Sequence, residues 1–464
     1  MSETEPVAGP GLLVALRSAS GTTLHEQLES ALREQVRSGR LAPGARLPSS
    51  RALAAELGVS RGVVIEAYAQ LSAEGYLAAS QGAPTRVALV AAGERERPPV
   101  AATSLGARRR HDFDPGLPDL LAFPRAAWLR SLRAVARDAR FGDLGYGDPR
   151  GAPELRNALM GYLGRVRGAA PEPEHTLVCG GFAQGFAVLC RTLRSRGVER
   201  IAIESPGYGP HRLIAEAAGL EPAPVEVDEH GLSVSELSAS GCDVVVVAPA
   251  HQFPTGAVLS AERRTALLEW AEDEDGLVVE DDYDSELRYD RGAVGALQGL
   301  APERVAHIGS VSKRLAPGLA LGWVLAPSWL SGALTYEKAV AGGGTPILEQ
   351  LALADLIERG ELDRHLRRMR LRYRSRRDAL LSALARELPG ARVTGVAAGL
   401  FAPVTVPAID ERALAAAGLG VQPIDHDGIT LPLGFANLGE QAISDGIAAL
   451  ARVVAQACAS SGTS

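Results

Sequence analysis

Leu24, Leu28, Leu32 and Val36 recur every four residues, which predicts one stripe of an amphipathic helix. The stretch SGRLAPGARLP then breaks the pattern with Gly and Pro. Ser49 or Ser50 can cap a second helix, with Leu53 and Leu57 inward and Gly58 as its stop. Ser60 caps a third, whose Val64, Tyr68 and Leu71 share a face. Only a few residues, GVS, separate the second and third helices, a spacing that fits a helix-turn-helix. Beyond it, GYLAASQGAPTRVALV predicts two short strands around a Gly-Ala-Pro turn, a wing.

Residues 1–20 read as a tail and 21–90 as the winged unit. Residues 91–111 have no apolar periodicity, and their Pro-Pro, Ala and Gly with scattered charge predict a semi-flexible linker. Its basic triplet, Arg108, Arg109 and Arg110, is either a solvated run or a contact to DNA backbone. From Asp112 to 464 the pattern changes again. Short apolar, mostly β-branched runs at Ile201–Ile203, Val244–Val247, Leu277–Val279 and Val305–Ile308 alternate with helical stretches such as GFAQGFAVLCRTLRSRG and AERRTALLEWAEDE. Continuous apolar strands between helices predict an α/β domain with a mainly parallel sheet covered on both faces. Ligands in such sheets bind beyond the carboxyl ends of the strands. The polar groups fall there: Glu204-Ser205-Pro206, His251-Gln252, Glu280-Asp281-Asp282 and Ser310-Val311-Ser312-Lys313.

Composition narrows the classes. With 46% hydrophobic and 22% charged residues in 464, the chain is globular, not disordered. No run of about 18 apolar residues exists, so no membrane span is expected, and the N-terminus has no secretory pattern. Cys179, Cys190, Cys242 and Cys458 share no metal-ligand spacing, which predicts no metal site and a reducing, cytoplasmic setting. The net charge of −7 requires any nucleic-acid site to be a local patch. Ser49, Arg51, Ser60 and Arg61 cluster at two helix starts, and Arg86 lies on the wing. Helix N-termini and hydroxyls bind phosphate, and an Arg there reaches a guanine edge. The same pattern also fits a small helical domain with solvated arginines.

Of 48 basic residues other than His only two are lysines, Lys313 and Lys338. Arg cannot form a Schiff base, so a lysine kept against this bias points to amine chemistry. Lys338 reads as a surface lysine. Lys313 follows one strand and Asp281 ends its neighbour, with Tyr283 two residues on. A lysine and an aspartate at adjacent strand ends suit pyridoxal 5′-phosphate (PLP): the amine condenses with the aldehyde and the carboxylate keeps the ring nitrogen protonated. Tyr283 can hydrogen-bond the phenolate oxygen, and Ser310 and Ser312 can donate to a phosphate.

GRLAPGARLPSSRALAAELGVSRGVVIEAYAQLSAEGYL resembles the winged-helix domain of the GntR regulators. VVVVAPAHQFPTG, VVEDDYDSELRYD and SVSKRLAPGLALGW resemble the aminotransferase-like domain of fold-type I PLP proteins, as do FDPGLPDLLAFPRAAWLR and YGDPRGAPELRNALMGYL. Fused, they look like the MocR group of regulators. The resemblance implies a smaller C-terminal α+β subdomain, a head-to-tail homodimer, a double-stranded DNA operator contacted by Arg51, Ser60, Arg61 and Arg86, and PLP or a PLP–amino acid adduct as effector, with vitamin B6 or amino-acid metabolism as target. It makes Lys313 the Schiff-base lysine, Asp281 the ring-nitrogen partner, Tyr283 the phenolate partner and Tyr146 a phosphate ligand across the dimer interface. Phe253 lies in the loop that elsewhere supplies a ring contact.

Three departures stand out. Where LAPGLRLG carries a phosphate-binding Arg, this chain has Ala320. The phosphate turn reads CGGFAQ, with Phe182 at a hydroxyl position. GITLPLGFANL lacks the Arg that binds a substrate carboxylate. Backbone N–H groups around Gly181, Phe182 and Ala183 could still hold a phosphate, and Arg314 is the candidate to replace the lost charge. The departures argue against efficient transamination. A working aminotransferase, and a regulator whose large domain only dimerises, are the alternatives.

Overall fold

The computed structural model describes residues 16, 22–78, 84–88, 111–289, 294–342, 344–407, 409–424 and 430–461. The linker triplet Arg108–Arg110, most of the tail and the Gly82-Ala83 turn of the wing lie outside the described residues. The chain divides into two compact units, Met1–Leu105 and Gly106–Ser464.

In the small unit, α1 (Leu24–Arg37), α2 (Ser50–Leu57) and α3 (Arg61–Ala73) form where the apolar spacing places them. Ser49 Oγ accepts from Ala52 N at 3.2 Å and Ser60 Oγ from Val63 N at 3.5 Å, each satisfying an otherwise unpaired helix-start amide. Gly58 ends α2 at φ 65°, a left-handed conformation that glycine adopts without steric cost. Leu28, Leu32, Leu53, Val64, Tyr68 and Leu71 meet in one buried core. Tyr68 also donates to Pro48 O at 2.9 Å, tying α3 to the chain that enters α2. Strands β1 (Leu77–Ala78) and β2 (Arg86–Val87) pair antiparallel as the wing.

The large unit is built on one twisted sheet. In chain order its strands are β3 (Thr176–Cys179), β4 (Arg200–Ser205), β5 (Glu221–Asp228), β6 (Gly231–Leu232), β7 (Val244–Val247), β8 (Leu277–Asp282), β9 (Val305–Ser310) and β10 (Gly322–Leu325). Their spatial order is β3-β10-β9-β8-β7-β4-β5-β6. The run from β9 to β5 is parallel, and β10 and β6 enter antiparallel. Val244–Val247 is buried at all four positions, as a strand sandwiched between helix layers requires. A smaller antiparallel sheet of β11 (Arg392–Val393), β12 (Phe401–Thr405) and β13 (Thr430–Gly434) packs with the helices Glu361–Glu387 and Glu440–Ser461 as an α+β subdomain. Among the described residues one stretch, Glu440–Ala459, is long and apolar enough to cross a membrane by composition. Its Ile443, Ile447, Leu450, Val453 and Val454 are buried against the subdomain core.

Candidate functional site

Strands β8 and β9 run parallel and in register, with Asp281 beside Ile308 and Asp282 beside Gly309. Their carboxyl ends therefore open on the same rim. There a cavity of about 540 Å³ forms. Asp281, Tyr283, Ser310, Ser312, Lys313, Gly181, Phe182, Ala183 and Phe253 all line it. These residues come from separate segments of the chain, and they meet at the strand-end rim where the sequence pattern places the ligand.

Lys313 Nζ donates to Gly116 O at 2.5 Å. Gly116 allows this approach: a Cβ there would sit 3.2 Å from the amine. Burial pushes the Lys313 pKa down, and Asp114, Asp284 and Asp281 offset only part of that. Asp281 Oδ2 lies 3.1 Å from His211 Nε2, while Oδ1 is buried with no hydrogen-bond partner. Burial pushes the Asp281 pKa up, against the pull of His211. Tyr283 Oη donates to His251 O at 2.6 Å, and His251 Nδ1 lies 2.7 Å from Asp284 Oδ2. Phe253 packs edge-on against Tyr208 and Phe401, and Phe182 stacks on Phe186. Glu204, at the end of β4, also lines the cavity; burial raises its pKa to about 8.

Two expectations are corrected. Arg314 does not face the cavity. Its Nε donates to Glu286 Oε1 at 2.8 Å, its Nη1 to Ser310 O at 2.6 Å, and its Nη2 lies 3.4 Å from Asp282. Residues 311–315 form a turn closed by Leu315 N–H donating to Val311 O at 2.7 Å, and it sends the Arg314 side chain away from the cavity that Lys313 lines. Lys338 is not a surface lysine. It is buried, and its Nζ donates to Pro149 O at 2.5 Å. It faces inward from the helix Ser328–Val340, where it lines a second cavity of about 730 Å³. Tyr146, expected to act across a dimer interface, is fully exposed, lines that second cavity and does not line the first within its own chain. His211, Gly116 and Asp114 were not foreseen. His211 sits in a helix with no neighbouring signal, and Asp114-Pro115-Gly116 reads as an ordinary turn.

The Asp281 oxygen without a partner and the amine in the same cavity fit a ring with one protonated nitrogen and one aldehyde. The residues at the ring end therefore suit PLP.

In the small unit Arg51 and Arg61 are exposed at the starts of α2 and α3. Arg61 Nε donates to Ser50 Oγ at 3.3 Å, which joins the two helix starts. Ser49 and Ser60 use their hydroxyl oxygens as acceptors in the caps, leaving each O–H free to donate. Arg86 is half-buried and donates to Gly44 O at 3.0 Å.

Comparison with known proteins bears on both units. Residues 24–87 match the bacterial regulatory proteins of the gntR family, and residues 124–428 match aminotransferase class I and II. The pyridoxine biosynthesis transcriptional regulator PdxR of Corynebacterium glutamicum is 35% identical, over 89% of this chain and 91% of that protein. The probable rhizopine catabolism regulatory protein MocR of Rhizobium meliloti is 35% identical, over 81% of this chain and 80% of its own. Among solved structures, a multiple substrate aminotransferase from Thermococcus profundus superposes with a TM-score of 0.68 at 27% identity, covering 75% of this chain and 92% of that one. The fold of the large unit is that of the PLP-dependent aminotransferases, and pyridoxal phosphate is its cofactor.

Proposed function

Because the chain belongs to the MocR-type GntR family of transcriptional regulators, we propose that its large unit senses PLP, or an adduct of PLP with an amino acid, and so controls DNA binding by the small unit. The observation that carries this reading is the pairing of a half-buried amine, Lys313, with an unpartnered buried carboxylate oxygen, Asp281 Oδ1, in one cavity. Bound PLP supplies an aldehyde that a primary amine attacks and a ring whose protonated nitrogen withdraws electrons.

The chain's own groups prepare for that ligand. Burial favours the neutral, nucleophilic form of Lys313. His211 holds one Asp281 oxygen and leaves the other for a ring N–H. Tyr283 is fixed at the rim by the His251 carbonyl. Ser310, Ser312 and the amides of Gly181, Phe182 and Ala183 form the remaining polar surface, with Phe253 as an apolar wall. Tyr146 is assigned to the cavity of a second copy in a homodimer. Arg51, Ser60 and Arg61, supported by Ser49 and Arg86, are the operator contacts. Ligand binding shifts DNA affinity only if it favours one arrangement of the large unit over another. The name of the Corynebacterium glutamicum relative supports a target in vitamin B6 metabolism. A protein that binds operator DNA acts in the cytoplasm.

The test uses DNA fragments selected from the genome by the purified chain. PLP should give a visible absorbance band and change fragment affinity at least fivefold, and both effects should vanish in Lys313→Ala. A band without any change in DNA affinity would remove the sensing role. Robust steady-state transamination across common amino donors would instead make the chain an enzyme.

A further inference from the structure

The charges around the Lys313 cavity suit a ring and an aldehyde better than a phosphate. Three carboxyl groups, those of Asp114, Glu204 and Asp281, line it. Among the described lining residues only Lys313 and His211 can carry positive charge, and His211 is committed to Asp281 at 3.1 Å. The nearest guanidinium in sequence, Arg314, points into the Glu286–Asp282 cluster instead.

Around Gly180–Ala183 the amides of Gly181, Phe182 and Ala183 at the helix start offer a phosphate partial charges only, not a full counter-charge. The Gly180 N–H is taken by Gln184 Oε1 at 2.5 Å. The helix beyond opens with Phe182, whose ring packs on Phe186 and His211. Ala320 stands beside this wall, its carbonyl oxygen 3.8 Å from where a Gly180 Cβ would lie, and it brings only a methyl group. A dianion held here has no counter-charge of its own, and burial of an uncompensated charge is strongly disfavoured. The aldehyde end differs. Lys313 Nζ can add to the aldehyde carbon with loss of one water, needing no oxidant or reductant, and Asp281 Oδ1 can accept a ring N–H.

We propose, on the sensing reading above, that this cavity recognises its ligand through the aldehyde and the pyridine ring, and that the phosphate adds little. Unphosphorylated pyridoxal-type aldehydes are then effectors of comparable affinity to PLP.

The test titrates the full-length chain in parallel with PLP and with 5′-deoxypyridoxal. The latter carries no phosphate and cannot close the internal hemiacetal that masks the aldehyde of pyridoxal. The readouts are the visible absorbance band and protection of Lys313 from chemical acylation, measured by mass spectrometry. The expected result is a pair of dissociation constants within about tenfold of each other, a difference of about 1.4 kcal/mol or less. A preference for PLP above about 100-fold overturns this inference and leaves PLP sensing standing. No band and no protection with either compound removes both.

Discussion

Asp281 and Asp282 are adjacent, both buried at the end of β8, and their acidities move in opposite directions. Asp282 sits in a closed ionic cluster. Its Oδ2 lies 2.9 Å from Arg167 Nε, 3.0 Å from His307 Nε2 and 3.4 Å from Arg314 Nη2. Burial alone would raise its pKa, but Arg167, Arg314 and His307 together hold it well below the usual carboxylate range. Asp281 faces the cavity with a single imidazole and one unpartnered oxygen, and its pKa is raised. The alternation of side chains along a strand separates the two environments by one residue. Burial does not by itself distinguish a structural carboxylate from a binding one. The number of counter-charges around it does.

The largest test of this contrast is Lys313→Ala. It should abolish the visible band with PLP while leaving the cluster around Asp282 untouched, so the thermal midpoint of the large unit should barely move. Next comes the closed side. Arg314→Leu leaves Asp282 and Glu286 with one fewer cation in the interior and should cost about 3–5 kcal/mol of stability, read as a lower urea midpoint. A loss below about 1 kcal/mol would show that Arg167 and His307 suffice.

Glu204 tests the open side by pH. Its pKa rises from 4.5 to about 8 in the folded chain through burial, against hydrogen bonds from Ala248 and Gln252. The folded state then holds a proton that the unfolded state releases. The contribution is full below pH 4.5 and is lost as pH rises toward about 8, at up to about 1.4 kcal/mol per unit. Glu204→Gln should flatten the thermal midpoint over that window. Ala320→Arg should tighten PLP about 10- to 100-fold, the value of a charge-assisted contact of about 1.5–3 kcal/mol, and leave 5′-deoxypyridoxal unchanged. Equal gains for both compounds would place the new guanidinium elsewhere. The smallest effect lies in the other unit, where Ser60→Ala should remove a cap of about 1 kcal/mol, seen as a lower melting point of the winged helix.

Much of this molecule is legible along the chain. The four-residue spacing from Leu24 to Val36, the caps at Ser49 and Ser60 and the stop at Gly58 fix the winged unit, because they act through neighbours in sequence. The β-branched runs at Val244–Val247 and Val305–Ile308 mark buried parallel strands. The scarcity of lysine singles out Lys313. Antiparallel β10, wedged between β3 and β9, carries no such signature, since its Gly-Trp-Val-Leu run reads like any apolar segment.

Direction is what the chain alone could not give. In the sequence Arg314 is a candidate phosphate partner and Lys338 reads as a surface lysine. Only packing shows the first turned into an ionic cluster and the second held inside by Pro149 O. His211 reaches Asp281 across 70 residues of sequence. Local periodicity determines which elements form and which residue types cap them, because those forces span a few residues. Which face of a strand end meets solvent, ligand or counter-charge depends on elements brought from far away, and the tertiary fold decides it.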